Sequence, residues 1–306
     1  MKKTIGKNRQ THQAGRQGGV APVVLAAVVI TLAALGLLFG PDAIHAIRGR
    51  ATQSDLQELY RGKKTSLMDW LLPTANAEEV QPEATAQPLA VHEDFADLYE
   101  ANGHLVAWLT AGEKIDYPVV QYDNTFYLDH DFFGREDTAG TLFVNASNRL
   151  DPRDSILLIH GHNMRVGTMF GDLDYFREYK YARKYPIVTF RMINDPEDVY
   201  YVPIACFDAS MDPDEEGYFD ITRVRFEFDV PAETPEDKPK STALEQYIAG
   251  LREQSHWRSP AAADSTDEYI MLVTCSYLQD DGRTVLVCRK LRDNETPESI
   301  DEKFNP

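Results

Sequence analysis

Hydrophobic and polar positions divide the chain into unlike stretches. Val20 to Gly40 is apolar and uncharged, and about 20 residues of helix cross a bilayer core, so the pattern predicts a transmembrane segment. From Ser54 to Leu72, Leu56, Leu59, Tyr60, Leu67 and Trp70 recur at roughly helical spacing. That predicts one amphipathic helix, capped at Ser54 and stopped at Pro73. Thr74 to Ala90, rich in Ala, Glu, Gln and Pro, has too few apolar residues for a core and reads as a linker or stalk. A short helix from Glu93 to Asn102 then opens a folded domain.

Strand patterns dominate after that. Short β-rich runs occupy Leu105–Leu109, Tyr117–Gln121, Thr141–Asn145, Ser155–His160, Ile187–Met192, Val199–Phe207, Val224–Phe228, Glu268–Thr274 and Thr284–Arg289. Gly, Asp, Asn and Pro clusters separate most of them. Helical patterning returns only at Met169–Phe176 and Thr242–Ser255. Many short strands with few helices predict a mainly β fold, a closed barrel or a sandwich. Asp293–Pro306 reads as a polar, solvated tail.

The flanks of the apolar segment set a compartment. Lys2, Lys3, Lys7, Arg9 and Arg16 precede it without an acid, which predicts a cytoplasmic N-terminus and an exported remainder. A cleaved signal peptide would have a shorter apolar region and an adjacent small-x-small site, whereas Ala75-Asn76-Ala77 lies far downstream. No cysteine closely follows the segment, which excludes lipoprotein processing. The expected organisation is therefore a basic cytoplasmic stretch (1–19), an anchor (20–40), an extracytoplasmic helix and stalk (41–92), a folded domain (93–292) and the tail (293–306).

Charge and cysteines narrow the function. The 306 residues carry a formal net charge of −18, which argues against nucleic acid, since phosphate binding needs a basic face. Three cysteines, Cys206, Cys275 and Cys288, are too few and too scattered for a disulfide framework. At least one thiol stays free and is a candidate nucleophile, against the alternative of a small buried apolar residue.

Two segments could carry chemistry. Cys275 ends an apolar strand, an Asp/Gly loop follows, and a second apolar strand begins straight after Arg283. A guanidinium near a thiol lowers its pKa and stabilises a developing oxyanion. Upstream, an apolar strand ends at His160-Gly161-His162, and a histidine at a strand end suits general acid–base work. His160 and His162 could instead hold a metal, with Asp129, His130 or Asp131 as further ligands, or both could be structural. Together the two segments supply nucleophile, base and oxyanion stabiliser, a complete set for acyl transfer through a thioester.

These residues resemble a known family. Thr274-Cys275, with Arg283 eight positions after the cysteine, is similar to the signature strand and loop of sortases. Gly161-His162-Asn163-Met164, followed by the stretch from Gly167 to Leu173, resembles the histidine segment of class B sortases. Val106-Ala107-Trp108-Leu109, the run from Ile115 to Gln121 and that from Gly140 to Asn145 follow the same class. The resemblance runs from about Asp94 to Arg289. Asn145 and His160 depart from it, standing where aspartate and tyrosine are common.

The resemblance implies a closed eight-stranded β-barrel with N-terminal helices and a helix between the sixth and seventh strands, where Thr242–Ser255 fits. It implies a membrane-anchored cysteine transpeptidase on the outer face of a Gram-positive cell. Cys275 would attack a threonyl carbonyl in a C-terminal sorting signal, His162 would serve as acid and base, and Arg283 would hold substrate and stabilise the oxyanion. Thr274, Ser276, Tyr277 and Asn163 are candidate substrate contacts, and no cofactor or metal is implied. The partners would be proteins bearing the signal and an amine of the peptidoglycan precursor. Alternatives are a pilin polymerase using a lysine acceptor, a non-catalytic membrane-tethered binding module, and a metal-dependent hydrolase built on His160 and His162.

Overall fold

The structure, a computed structural model, describes residues 53–62, 90–215, 218–234, 236–275 and 282–306. The expected anchor (20–40) and most of the expected stalk lie outside them, as do Ser276 and Tyr277. Among the described residues no helix is long and apolar enough to cross a membrane.

Eight strands close into a barrel in the order β1-β2-β3-β4-β7-β8-β6-β5. They are β1 (Leu105–Ala111), β2 (Ile115–Val120), β3 (Leu142–Val144), β4 (Ile156–His160), β5 (Val188–Met192), β6 (Tyr200–Ser210), β7 (Tyr269–Cys275) and β8 (Gly282–Lys290). The β2–β3 and β4–β7 pairs are parallel and the rest antiparallel. A parallel pair needs a crossover, and the Thr242–Gln254 helix lies in the connection from β6 to β7, as the family resemblance implies. Ser241 caps it by accepting from Leu244 N, and Leu244, Ile248 and Leu251 are buried. Ile156–Ile159 and Tyr269–Val273 are buried without alternation, which is why both read as continuous apolar runs.

A second apolar cluster holds Leu56, Phe95, Leu98, Trp108 and Phe143. Tyr60 stacks on Trp108 with ring centroids 4.3 Å apart, and the indole Nε1 donates to Asp116 Oδ1 at 2.7 Å.

Several expectations fail locally. Of the amphipathic helix expected over Ser54–Leu72, 53–60 is helical, Arg61 and Gly62 form a turn, and 63–72 lie outside the described residues. Gly62 has φ 63°, a left-handed conformation that stops a helix and suits glycine. Val224–Phe228 forms no strand; among the described residues it is met by one ladder-like bond, Ile156 N to Val224 O at 3.4 Å, because the barrel closes through other strands. The helix expected over Met169–Phe176 is a 3-10 turn over Leu173–Arg177 followed by a helix over Tyr179–Lys184. Met169, at φ 52°, cannot begin a helix.

The expected solvated tail is also corrected. Pro297–Phe304 is a helix whose Thr296 and Ser299 form a reciprocal cap. Ile300 and Phe304 are buried, and Arg289, itself fully buried, pairs with Glu295. The segment looks polar because only one face of a two-turn helix meets the core.

Candidate active site

The register of two ladders assembles the site. In the parallel β4–β7 pair His160 lies opposite Val273, and in the antiparallel β7–β8 pair Cys275 lies opposite Arg283. The strand ends bearing the two histidines, the cysteine and the arginine therefore meet at one end of the barrel. An open cleft of about 200 Å³ lies there, its lining including Leu128, His160, His162, Thr274 and Arg283.

His162 leaves β4 through Gly161. A Cβ at Gly161 would collide with the Leu142 and Phe170 side chains, so glycine alone lets the chain pass beneath them. The His162 Nε2–H donates to the Leu128 carbonyl at 2.6 Å. Since a carbonyl only accepts, this bond fixes the tautomer and leaves Nδ1 as the nitrogen able to take up a proton. Nδ1 has no hydrogen bond among the described residues.

Arg283 is half-buried, and its Nη1 donates to the Gly282 carbonyl at 2.9 Å. Among the described residues no carboxylate pairs with it, and it lines the cleft. The charge acts on His160: burial first, and Arg283 second, push that imidazole from 6.5 down to about 4. His160 is thus neutral near pH 7. Asn145 holds it by donating Nδ2 to Nε2 at 3.1 Å, while Asn145 Oδ1 accepts from Ser147. The two departures from the class pattern, Asn145 and His160, are therefore partners of each other.

Thr274 is buried, lines the cleft, and has a hydroxyl without a hydrogen-bond partner among the described residues. A buried polar group in that state costs about 1–3 kcal/mol. Asn163, expected to contact substrate, is instead buried and donates Nδ2 to Asp174 Oδ2 at 2.8 Å, supporting the loop rather than lining the cleft. Cys206 and Cys288 are free and buried, and burial pushes both thiols well above the usual value. Neither suits a nucleophile.

The metal reading finds little support in the donors. Each histidine commits Nε2 to a protein partner, and among the described residues no three His, Cys, Asp or Glu side chains are placed to hold an ion. Sequence reasoning missed the Leu128 carbonyl and the Asp174–Arg177–Asp208 cluster. A main-chain acceptor leaves no trace in sequence, but an aspartate inside the apolar run of β6 was a visible anomaly.

Relatives now bear on this geometry. No family model matches the chain. It is similar to "Sortase B" of Listeria monocytogenes, with 29% identity over 234 residues, covering 75% of this chain and 86% of that one. In sequence and in fold the chain is similar to the class B sortases. Sortase B of Staphylococcus aureus is 25% identical over 168 residues, covering 54% of this chain and 62% of the relative. A solved Staphylococcus aureus sortase B–substrate complex shares the barrel, with a TM-score of 0.58 at 19% identity over 82% of this chain and 100% of that one. The sortase fold expected from sequence is thus the fold observed, and the likeness supports a transpeptidase family associated with the cell envelope.

Proposed function

We propose that this sortase cleaves a C-terminal sorting signal after threonine and passes the acyl group to an amine of the cell-wall precursor, with Cys275, His162 and Arg283 as the reacting set. The observation that carries the reading is the convergence of His162, Arg283 and the end of β7 on one cleft.

The Cys275 thiolate attacks the threonyl carbonyl carbon, forming a C–S bond and moving the carbonyl electron pair onto oxygen. Arg283 lies beside Cys275 in register and supplies positive charge for that oxyanion. Collapse of the adduct breaks the C–N bond, and the leaving amine takes the proton that His162 Nδ1 carries. The resulting thioester is attacked by the acceptor amine. Its proton passes to His162, the C–S bond breaks, and a new amide and the thiolate result. Thr274, Ser276 and Tyr277, the neighbours of Cys275 in sequence, are proposed as further substrate contacts.

Val20–Gly40, behind its basic flank, is proposed as the single-pass anchor, which places the barrel outside the membrane.

Turnover of a panel of sorting-signal peptides by the full-length chain, with triglycine as acceptor, tests this. Mass spectrometry should find a threonyl–glycine ligation product that vanishes in Cys275→Ala. Hydrolysis that persists in Cys275→Ala and stops with a chelator would favour metal chemistry instead.

A further inference from the structure

Behind the strands that bear the reacting residues lies a charged cluster that the proposed mechanism does not use. Arg177, at the end of the Leu173–Arg177 turn, grips Asp208 of β6 through Nε and Nη2, at 3.0 and 2.7 Å. Its Nη1 lies 2.9 Å from Asp174. Burial alone would raise the Asp208 carboxyl, but bonds from Arg177, His256 and Thr284 hold it below the usual carboxylate value. Asp174 and Asp208 thus hold Arg177 from two sides in a partly buried cluster.

The outer bonds of this cluster reach the residues next to the reacting set. Asn163, which follows His162, donates to Asp174 at 2.8 Å. Thr284, which follows Arg283, is fully buried; its Oγ1 accepts from Arg177 Nη2 at 2.6 Å and lies 3.1 Å from both Asp174 and Asp208, to one of which it donates. Thr284 is also the register partner of Thr274, which precedes Cys275. Successive residues of a strand face opposite ways, so the cluster holds Thr284 from the face opposite Arg283. One guanidinium therefore connects the histidine loop, the arginine strand and the strand carrying the cysteine.

We propose that Asp174, Arg177 and Asp208 are positioning residues of the transfer reaction, fixing the His162 loop against the β7–β8 pair. A 1 Å misplacement at a reacting pair costs up to about 100-fold in rate, and ion pairs with planar, bidentate geometry resist such movement better than loop packing does. The inference rests on the proposed roles of Cys275 and His162.

The test needs no peptide substrate. The rate of Cys275 alkylation by iodoacetamide, followed against pH by mass spectrometry on the full-length chain, reports thiolate formation; Cys206 and Cys288, both buried, are separated by peptide mapping. Thr284→Val should shift the alkylation profile and lower the rate near pH 7 about tenfold, with near-UV circular dichroism unchanged. Thr284→Ser, which keeps the hydroxyl, should restore most of it. Should Thr284→Val fail to fold, Asn163→Ala makes the same cut on the histidine side. Wild-type profiles in both Thr284→Val and Asn163→Ala, while His162→Ala shifts the profile, would overturn the positioning role alone. A wild-type profile in His162→Ala would instead overturn the functional reading on which it rests.

Discussion

Cys275 and Arg283 are register partners across the β7–β8 ladder, the last residue of one strand opposite the second residue of the other. The pairing is set by backbone hydrogen bonds, so the arginine's place beside Cys275 does not depend on any salt bridge. Arg283→Ala should lower kcat about 100- to 1,000-fold, the usual effect of losing an oxyanion donor. Arg283→Lys should recover only part, because an ammonium lacks the planar fork. Steady-state turnover of a ligated peptide measures both, and equal rates in wild type and Arg283→Ala would remove Arg283 from the chemistry.

His160 gives a pH signature. Arg283→Gln should raise the His160 pKa above about 4 yet leave it below 6.5, because burial is the larger of its two causes. Titration of the ring protons by NMR reads this. The folded value lies below the unfolded one, so as pH falls below about 6.5 the unfolded chain takes up the proton first. Stability should therefore fall from pH 6.5 to about 4 and level off below that as far as His160 is concerned. His160→Gln should flatten this part of the profile, as seen in urea midpoints across that range.

Gly161→Ala should harm activity through placement. The added methyl would meet Leu142 and Phe170 and push the chain that carries His162, at a stability cost of about 1–3 kcal/mol. The expected result is at least a tenfold loss of kcat, from the same displacement argument, in a protein that still melts cooperatively. Unchanged kcat would mean that the loop relaxes without moving His162.

The C-terminal helix should behave as part of the domain. Deleting residues 297–306 exposes apolar surface that Ile300 and Phe304 cover, worth about 1.5–3 kcal/mol for each, and the melting temperature should fall by several degrees or more. Burial alone would raise Glu295, but Arg289, Lys303 and the Arg292 N–H hold it at about 2. Its stabilising effect should be full above about 4.5 and be lost as pH falls towards 2. Glu295→Gln should erase that acid slope, as followed by thermal melts.

The barrel and much of the site were legible because their determinants are local. Runs such as Ile156–Ile159 and Tyr269–Val273 declare strands buried on both faces, and Cys275 and Arg283 each sit at the end of such a run. The helix stop at Gly62 was missed because an apolar stripe continues past it. Val224–Phe228 alternates like a strand yet finds no edge, and pairing is a property of the whole barrel. The Asp174–Arg177–Asp208 cluster joins residues from two distant segments, and its purpose lies in which strand face each one occupies. Asn163 looked like a substrate contact from its place beside His162, whereas its amide is used inward.

The most direct test of the central claim is the intact mass of the full-length chain mixed with sorting-signal peptides, before any amine is added. The account predicts an adduct of the acyl fragment on Cys275, absent from Cys275→Ala, discharged by hydroxylamine or triglycine, and slow to form in His162→Ala. A peptide that is cleaved after threonine with no adduct on Cys275, at rates equal in wild type and Cys275→Ala, would contradict it.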